Sequence, residues 1–75
     1  MKQKYVRLHA YNSIIIFPEI IQHSDFMGWN VKSAGFCYIN TDEKTVKCFG
    51  ESISLGLKSD EQDSQLATHQ LFGND

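Results

Sequence analysis

The stretch Lys32-Ser33-Ala34-Gly35-Phe36-Cys37-Tyr38-Ile39-Asn40-Thr41-Asp42-Glu43-Lys44-Thr45-Val46-Lys47-Cys48-Phe49-Gly50-Glu51-Ser52 decides the fold. Two segments rich in aromatic and branched residues, Lys32 to Asn40 and Thr45 to Ser52, flank the polar run Thr41-Asp42-Glu43-Lys44, which is the composition of a β-hairpin. If the turn is symmetric, paired positions sum to a constant: Cys37 faces Cys48, Phe36 faces Phe49, and Ile39 faces Val46. One face of the hairpin then carries Cys37, Ile39, Val46 and Cys48, and the other carries Phe36, Tyr38, Lys47 and Phe49. A slip of one residue would turn every side chain of one strand to the wrong face.

Upstream, Val6, Leu8 and Ala10 alternate with Tyr5, Arg7 and His9, the period of a half-buried strand over Tyr5 to Ala10. Asn12-Ser13 supplies turn chemistry before Ile14-Ile15-Ile16-Phe17, a run without alternation that suits a strand covered on both faces. Pro18 ends it, and Glu19 behind the proline suits the positive end of a helix dipole, so a short helix is expected from Pro18 to Met27, with Gly28 as its left-handed stop. Trp29 is placed to cap an edge of the core.

Downstream, Gly50 bends or bulges the chain, and Ile53, Leu55 and Leu57 alternate with Ser52, Ser54 and Gly56 as a further strand segment. Ser59 with Gln62 three residues on reads as a capping box, and Asp60, Glu61 and Asp63 complement the start of a C-terminal helix whose apolar stripe is Leu66, Ala67 and Leu71. Gly73 stops it. The expected order is β-β-α-β-β-(β)-α. This is an α+β fold: an antiparallel sheet of four or five strands, the C-terminal helix on one face, and the short helix at an end or edge. Residues 1–75 form a single domain, with a loose tail at 73–75.

The chain has 75 residues, 41% of them hydrophobic and 12% aromatic, which reads as globular, although so short a chain buries only roughly 60% of its unfolded surface. A core that small, beside a sheet rich in Phe36, Tyr38 and Phe49, leaves apolar surface to cover, so a homodimer or larger oligomer is expected. Two cysteines are too few for a secreted disulfide scaffold and no charged-then-apolar leader opens the chain, so a cytoplasmic setting is expected. The apolar run Ile14 to Phe17 is far short of the ~20 residues of a membrane-spanning helix. Net charge is −2, so the chain lacks the overall basic excess that pulls proteins onto phosphate backbones. Lys2, Lys4 and Arg7 nevertheless gather at the N-terminus, a local site for an anion.

Gln22-His23-Ser24-Asp25 sets an imidazole, a hydroxyl and an acid side by side, the groups of a hydrolytic triad. On a helix from Pro18 to Met27, however, Ser24 falls on the apolar face, His23 lies about 80° from its centre, and Asp25 points about 120° away on the other side. His23 and Asp25 diverge too far to share a proton, so the local triad fails and His23 remains as a boundary histidine with its partners elsewhere. Gly50-Glu51-Ser52-Ile53-Ser54-Leu55-Gly56 approaches the nucleophile elbow G-x-S-x-G, but neither Ser52 nor Ser54 has a glycine at two residues on both sides. The two cysteines allow a cross-strand disulfide, a metal half-site, or two small hydrophobes on one sheet face. Paired zinc-ligand spacing is missing, His9, His23 and His69 fall in separate elements, and nothing in the sequence calls for a metal or cofactor.

Ser33-Ala34-Gly35-Phe36 and Gly50-Glu51-Ser52-Ile53-Ser54-Leu55-Gly56-Leu57-Lys58-Ser59, with Asp63 and the Gln22-His23-Ser24 stretch, resemble a pattern of short uncharacterised bacterial proteins carried on mobile elements, including integron gene cassettes. The resemblance spans about two thirds of the chain. It implies a setting, and no activity or catalytic residue comes with it. It concentrates at His23, Ser24, Gly35, Gly50, Ser54 and Gly56, which points to a site where the first helix meets the long hairpin.

The leading expectation is a non-enzymatic accessory protein of a mobile element that works by binding another protein. The alternative is a nucleic-acid-binding module that uses Lys2, Lys4 and Arg7 and stacks bases on Tyr5 or Tyr38. A third is a small ligand-binding protein or hydrolase with a pocket around His23 and Ser24, Ser52 or Ser54, completed in an oligomer.

Overall fold

Along the first strand, alternation sends Tyr5 and Arg7 to one side of the backbone and Lys4, Val6 and Leu8 to the other, and both sides become buried. A computed structural model describes residues 2–73; residues 74 and 75 of the expected tail lie outside the described residues. Strands β1 (Lys2–Leu8), β2 (Ile14–Phe17), β3 (Val31–Asn40) and β4 (Thr45–Phe49) form an antiparallel sheet in the order β2-β1-β3-β4. A second sheet pairs β5 (Glu51–Ser52) with β6 (Leu57–Lys58), and α1 (Asp63–Phe72) closes the chain. The fold is α+β.

The hairpin register is the symmetric one: Phe36 pairs with Phe49, Cys37 with Cys48, Tyr38 with Lys47, and Ile39 with Val46. Lys44 closes the turn in a left-handed conformation (φ 55), and Asn40 accepts the Glu43 N–H. On one face of the sheet, Tyr5, Ile14, Cys37 and Val46 bury against Ala67, with Leu66 and Phe72 alongside. On the other, Val6, Phe17 and Ala34 bury beneath Phe26, Leu55 and Leu57. The first strand is thus covered on both faces, which is why its polar-looking residues Tyr5 and Arg7 are interior.

Both edges of the sheet are guarded by α1. On β4, Val46 N–H donates to the Thr68 hydroxyl (2.8 Å), which itself donates to Val46 C=O (3.1 Å), and Cys48 N–H donates to Ser64 (2.7 Å). On β2, Gln70 accepts the Ile14 N–H (3.0 Å) and donates to the Ile14 carbonyl. Short polar side chains of one helix therefore occupy backbone groups that an open edge would offer to another chain.

Three local expectations change. The segment after Phe17 is a turn closed by Ile21 N–H on Pro18 C=O, then extended backbone at Gln22, then a single 3₁₀ turn over His23–Phe26. Branched Ile20 and Ile21 disfavour a helix there and lie exposed. The segment Ile53 to Gly56 is a turn between β5 and β6, with Ile53 87% exposed, because Gly50 (φ 77) and Gly56 (φ 68) let the chain fold back and Ser59 N–H close on Gly50 C=O. The capping box expected at Ser59 and Gln62 does not form: the helix begins at Asp63 with no side-chain cap at Gln62, and the turn before it is closed by Asp60 accepting the Gln62 N–H (2.8 Å) and Asp63 accepting the Asp60 N–H (2.9 Å). Of the expected stripe, Ala67 is buried and Leu66 half-buried as expected, while Leu71 is half exposed.

Candidate functional site

Asp63 is fully buried at the start of α1, over the side of the sheet that carries Tyr5, Arg7 and Ser33. One of its oxygens accepts from the Tyr5 hydroxyl, from Ser33 (2.7 Å) and from the Asp60 N–H (2.9 Å); the other accepts from Arg7 (2.8 Å). Arg7 is also held by Asn12 (2.9 Å). Burial pushes the Asp63 carboxyl up, but the hydrogen bonds from Tyr5, Asp60, Ser33 and Arg7 outweigh it and hold the group below its ordinary value. Burial, then the Asp63 hydrogen bond and charge, raise the Tyr5 phenol well above its ordinary range. The network is a charged staple between β1, β3 and α1, and it removes Arg7 and Tyr5 from the surface. Neither is available for the phosphate contact or base stacking expected of them.

His23 is buried, its Nε2 2.8 Å from the Gly35 carbonyl oxygen, with its ring edge-on to Phe17 and Phe36. Ser24 and Asp25 are exposed. This reverses the helical expectation of Ser24 inward and His23 at the boundary. In a 3₁₀ turn, residues i and i+3 eclipse, so His23 and Phe26 face Phe17 together and the two residues between them face solvent. Gly35 is obligatory beneath this contact: a Cβ there would lie 2.5 Å from the Phe49 carbonyl oxygen. Ser52 is buried, 3.4 Å from the exposed Ser54, and accepts the Leu55 N–H (3.2 Å). The serines brace the β5–β6 turn, while His23 braces the sheet.

Cys37 and Cys48 stand opposite each other as free thiols. Because the Val46 and Cys48 N–H groups point away from β3, theirs is a non-hydrogen-bonded pair, with Cα atoms roughly 4.5 Å apart. Burial pushes the Cys37 thiol up to about 11; burial, with the nearby Cys37 and Asp63, pushes Cys48 up to about 12. Cys37 is buried and Cys48 half-buried, and thiols raised in this way stay protonated at neutral pH. Among the described residues no group of three or more His, Cys, Asp or Glu could hold a metal ion, and no helix is long and apolar enough to cross a membrane.

An open groove of about 920 Å³ lies between β4 and α1, lined by Val46, Leu66 and Phe72 with Lys44, Lys47 and His69. The most distinctive surface is on the other face of the sheet, beyond the end covered by the β5–β6 hairpin. There the register sets two rows of side chains across three strands: Lys2, Tyr38, Lys47, and beside it Lys4, Phe36, Phe49. Neighbours within a row are roughly 4.8 Å apart and the rows about 6.8 Å apart. Tyr38 is 51% and Phe49 43% exposed. Phe36 stacks on Phe49 (6.2 Å, 26°), with the Lys2 ammonium 4.7 Å over its ring. Lys2 also pairs with Glu19 (3.4 Å), and Lys4 donates to the Ile21 carbonyl (2.9 Å). None of the six positions carries an acid.

Sequence reasoning placed Phe36, Tyr38, Lys47 and Phe49 on one face and Lys2 and Lys4 in a separate cluster. Only the β1–β3 register, a pairing between residues over thirty positions apart, joins them. No protein-family model, curated protein or solved structure matches this chain.

Proposed function

We propose that this is a non-enzymatic binding protein, an accessory factor whose working surface is the exposed sheet face formed by Lys2, Lys4, Phe36, Tyr38, Lys47 and Phe49. The mobile-element setting implied by the resemblance belongs to the same proposal. The observation that carries the reading is the exposure of Tyr38 and Phe49 on a sheet whose remaining area is covered. Tyr11 and Trp29 are exposed too, outside the strands, whereas Tyr38 and Phe49 stand in neighbouring rows of one sheet face, a contiguous apolar patch of the kind a partner covers. The buried residues with catalytic potential support the same reading, since they are committed to the fold: Asp63 and Tyr5 to each other, His23 to Gly35, and Cys37 to the core.

The test is site-specific photocrosslinking in cell extract from two exposed positions, Tyr38 on the proposed face and Gln65 on α1. Adducts that form from position 38 and fail from position 65 support the surface. Equal yields from the two positions, or none from 38, refute it.

A further inference from the structure

Resting on that reading of the surface, we propose that its partner is a single-stranded nucleic acid, held by base stacking on Tyr38 and Phe49 and by phosphate contacts to Lys2 and Lys47. Tyr38 lies in the middle of its row with a lysine on each side, Lys2 on β1 and Lys47 on β4. Phe49 stands one row away and is also open to solvent. An extended strand laid across these rows finds an aromatic face for each of two bases and cations beside them for the backbone. Stacking of this kind tolerates any base, since every base has a π-face.

The same placement weighs against the other macromolecules. Protein interfaces deplete lysine at their centres, where desolvating an ammonium is costly, yet here the lysines flank Tyr38, the more exposed of the two rings on this face. Duplex DNA is read by an element that protrudes into a groove, whereas these side chains stand on a sheet between neighbouring strands. The net charge of −2 does not oppose a local contact, because Asp60, Glu61 and Asp63 lie at the start of α1, on the sheet's opposite face, and the Glu19 carboxylate paired with Lys2 at 3.4 Å is a half-exposed ion pair that a phosphate would have to displace. Arg7, buried on Asp63, contributes nothing to this surface.

The experiment is fluorescence anisotropy of labelled oligo-dT and oligo-U with the full chain at low and moderate salt. Binding is expected to weaken with salt at a log–log slope of about −1.4, for the two phosphates that Lys2 and Lys47 neutralise on a single strand. Tyr38→Ala and Phe49→Ala are each expected to weaken it about 5- to 150-fold, the range measured for loss of one stacked base. Lys47→Gln should make the slope shallower by about 0.7, Gln65→Ala should change nothing, and a duplex of the same length should bind more weakly. Circular dichroism of each variant establishes that it is folded. No binding at low salt, or binding indifferent to both aromatic substitutions, overturns the proposal. Position-38 adducts that survive nuclease and disappear with protease, whether to another protein or to a second copy of this chain, overturn the nucleic acid while leaving the surface intact. Absence of any position-38 adduct removes both.

Discussion

Replacing Asp63 by Asn keeps the shape of the side chain and removes its charge, and the structure sets a large cost for doing so. The carboxylate gathers three donors on one oxygen and the Arg7 guanidinium on the other. An amide has one acceptor oxygen, so in either orientation its NH₂ group meets a donor, and Arg7, 2% exposed, keeps only the more distant and partly exposed Asp60 carboxylate at 3.8 Å. Breaking a buried pair in this way costs about 3–5 kcal/mol. A domain of this length has roughly 4–11 kcal/mol in total, so Asp63→Asn removes between about a quarter and all of it. Urea denaturation followed by Trp29 fluorescence measures the loss, the indole being packed edge-on to Phe26 at 5.2 Å. A pH series supplies a second readout. Burial raises the Asp63 carboxyl, and the hydrogen bonds from Tyr5, Asp60, Ser33 and Arg7 bring it below its ordinary value. A depressed carboxyl contributes stability that is complete above its unfolded value of about 3.9 and is lost as pH falls through the lower folded value. The wild-type chain should therefore lose stability steeply on acidification below about pH 4, and the asparagine variant should lack that part of the slope. A loss below about 1 kcal/mol with an unaltered acid limb would refute the account of this network.

Other perturbations follow from the same contacts. Gly35→Ala drives a Cβ against the Phe49 carbonyl and should cost about 1–3 kcal/mol in chemical denaturation; an unchanged midpoint contradicts the close approach. Gln70→Ala frees both backbone groups of Ile14 and should cost about 1–3 kcal/mol. Sedimentation should also show more self-association as the β2 edge opens. With the thiols of Cys37 and Cys48 pushed up to about 11 and about 12, a disulfide reagent at mild alkaline pH should label the native chain at least about a hundredfold more slowly than the urea-unfolded chain. Equal rates would mean the pair is exposed.

The sequence carried the hairpin because a four-residue polar turn between matched strands leaves one plausible register, and Cys37 against Cys48 followed from it. It carried Ile14–Phe17 for a similar reason, since an apolar run before a proline has few alternatives. What it misjudged was the first strand, read as half-exposed because Tyr5, Arg7 and His9 alternate with apolar residues. The sheet is covered on both sides, and an arginine in a buried register demanded a carboxylate that comes from 56 residues away. A charged residue two positions from a tyrosine on a short strand was the available signal, and nothing local identified Asp63 as its partner. The His23 segment was misjudged through its period. Assigning 100° per residue put Ser24 inward, whereas the ~120° of a 3₁₀ turn pairs His23 with Phe26. The candidate surface was half legible: its aromatics were on the page as one hairpin face, but the lysines reached it only through the pairing of β1 with β3.

Amide and methyl chemical shifts of the labelled chain, titrated with a short single-stranded oligonucleotide, test the central claim most directly. The account predicts that the shifts concentrate at Lys2, Lys4, Phe36, Tyr38, Lys47 and Phe49 and leave the α1 side of the groove, Gln65, Leu66, His69 and Phe72, unmoved. Shifts centred on that groove, or none at oligonucleotide concentrations well above the protein's, would contradict it.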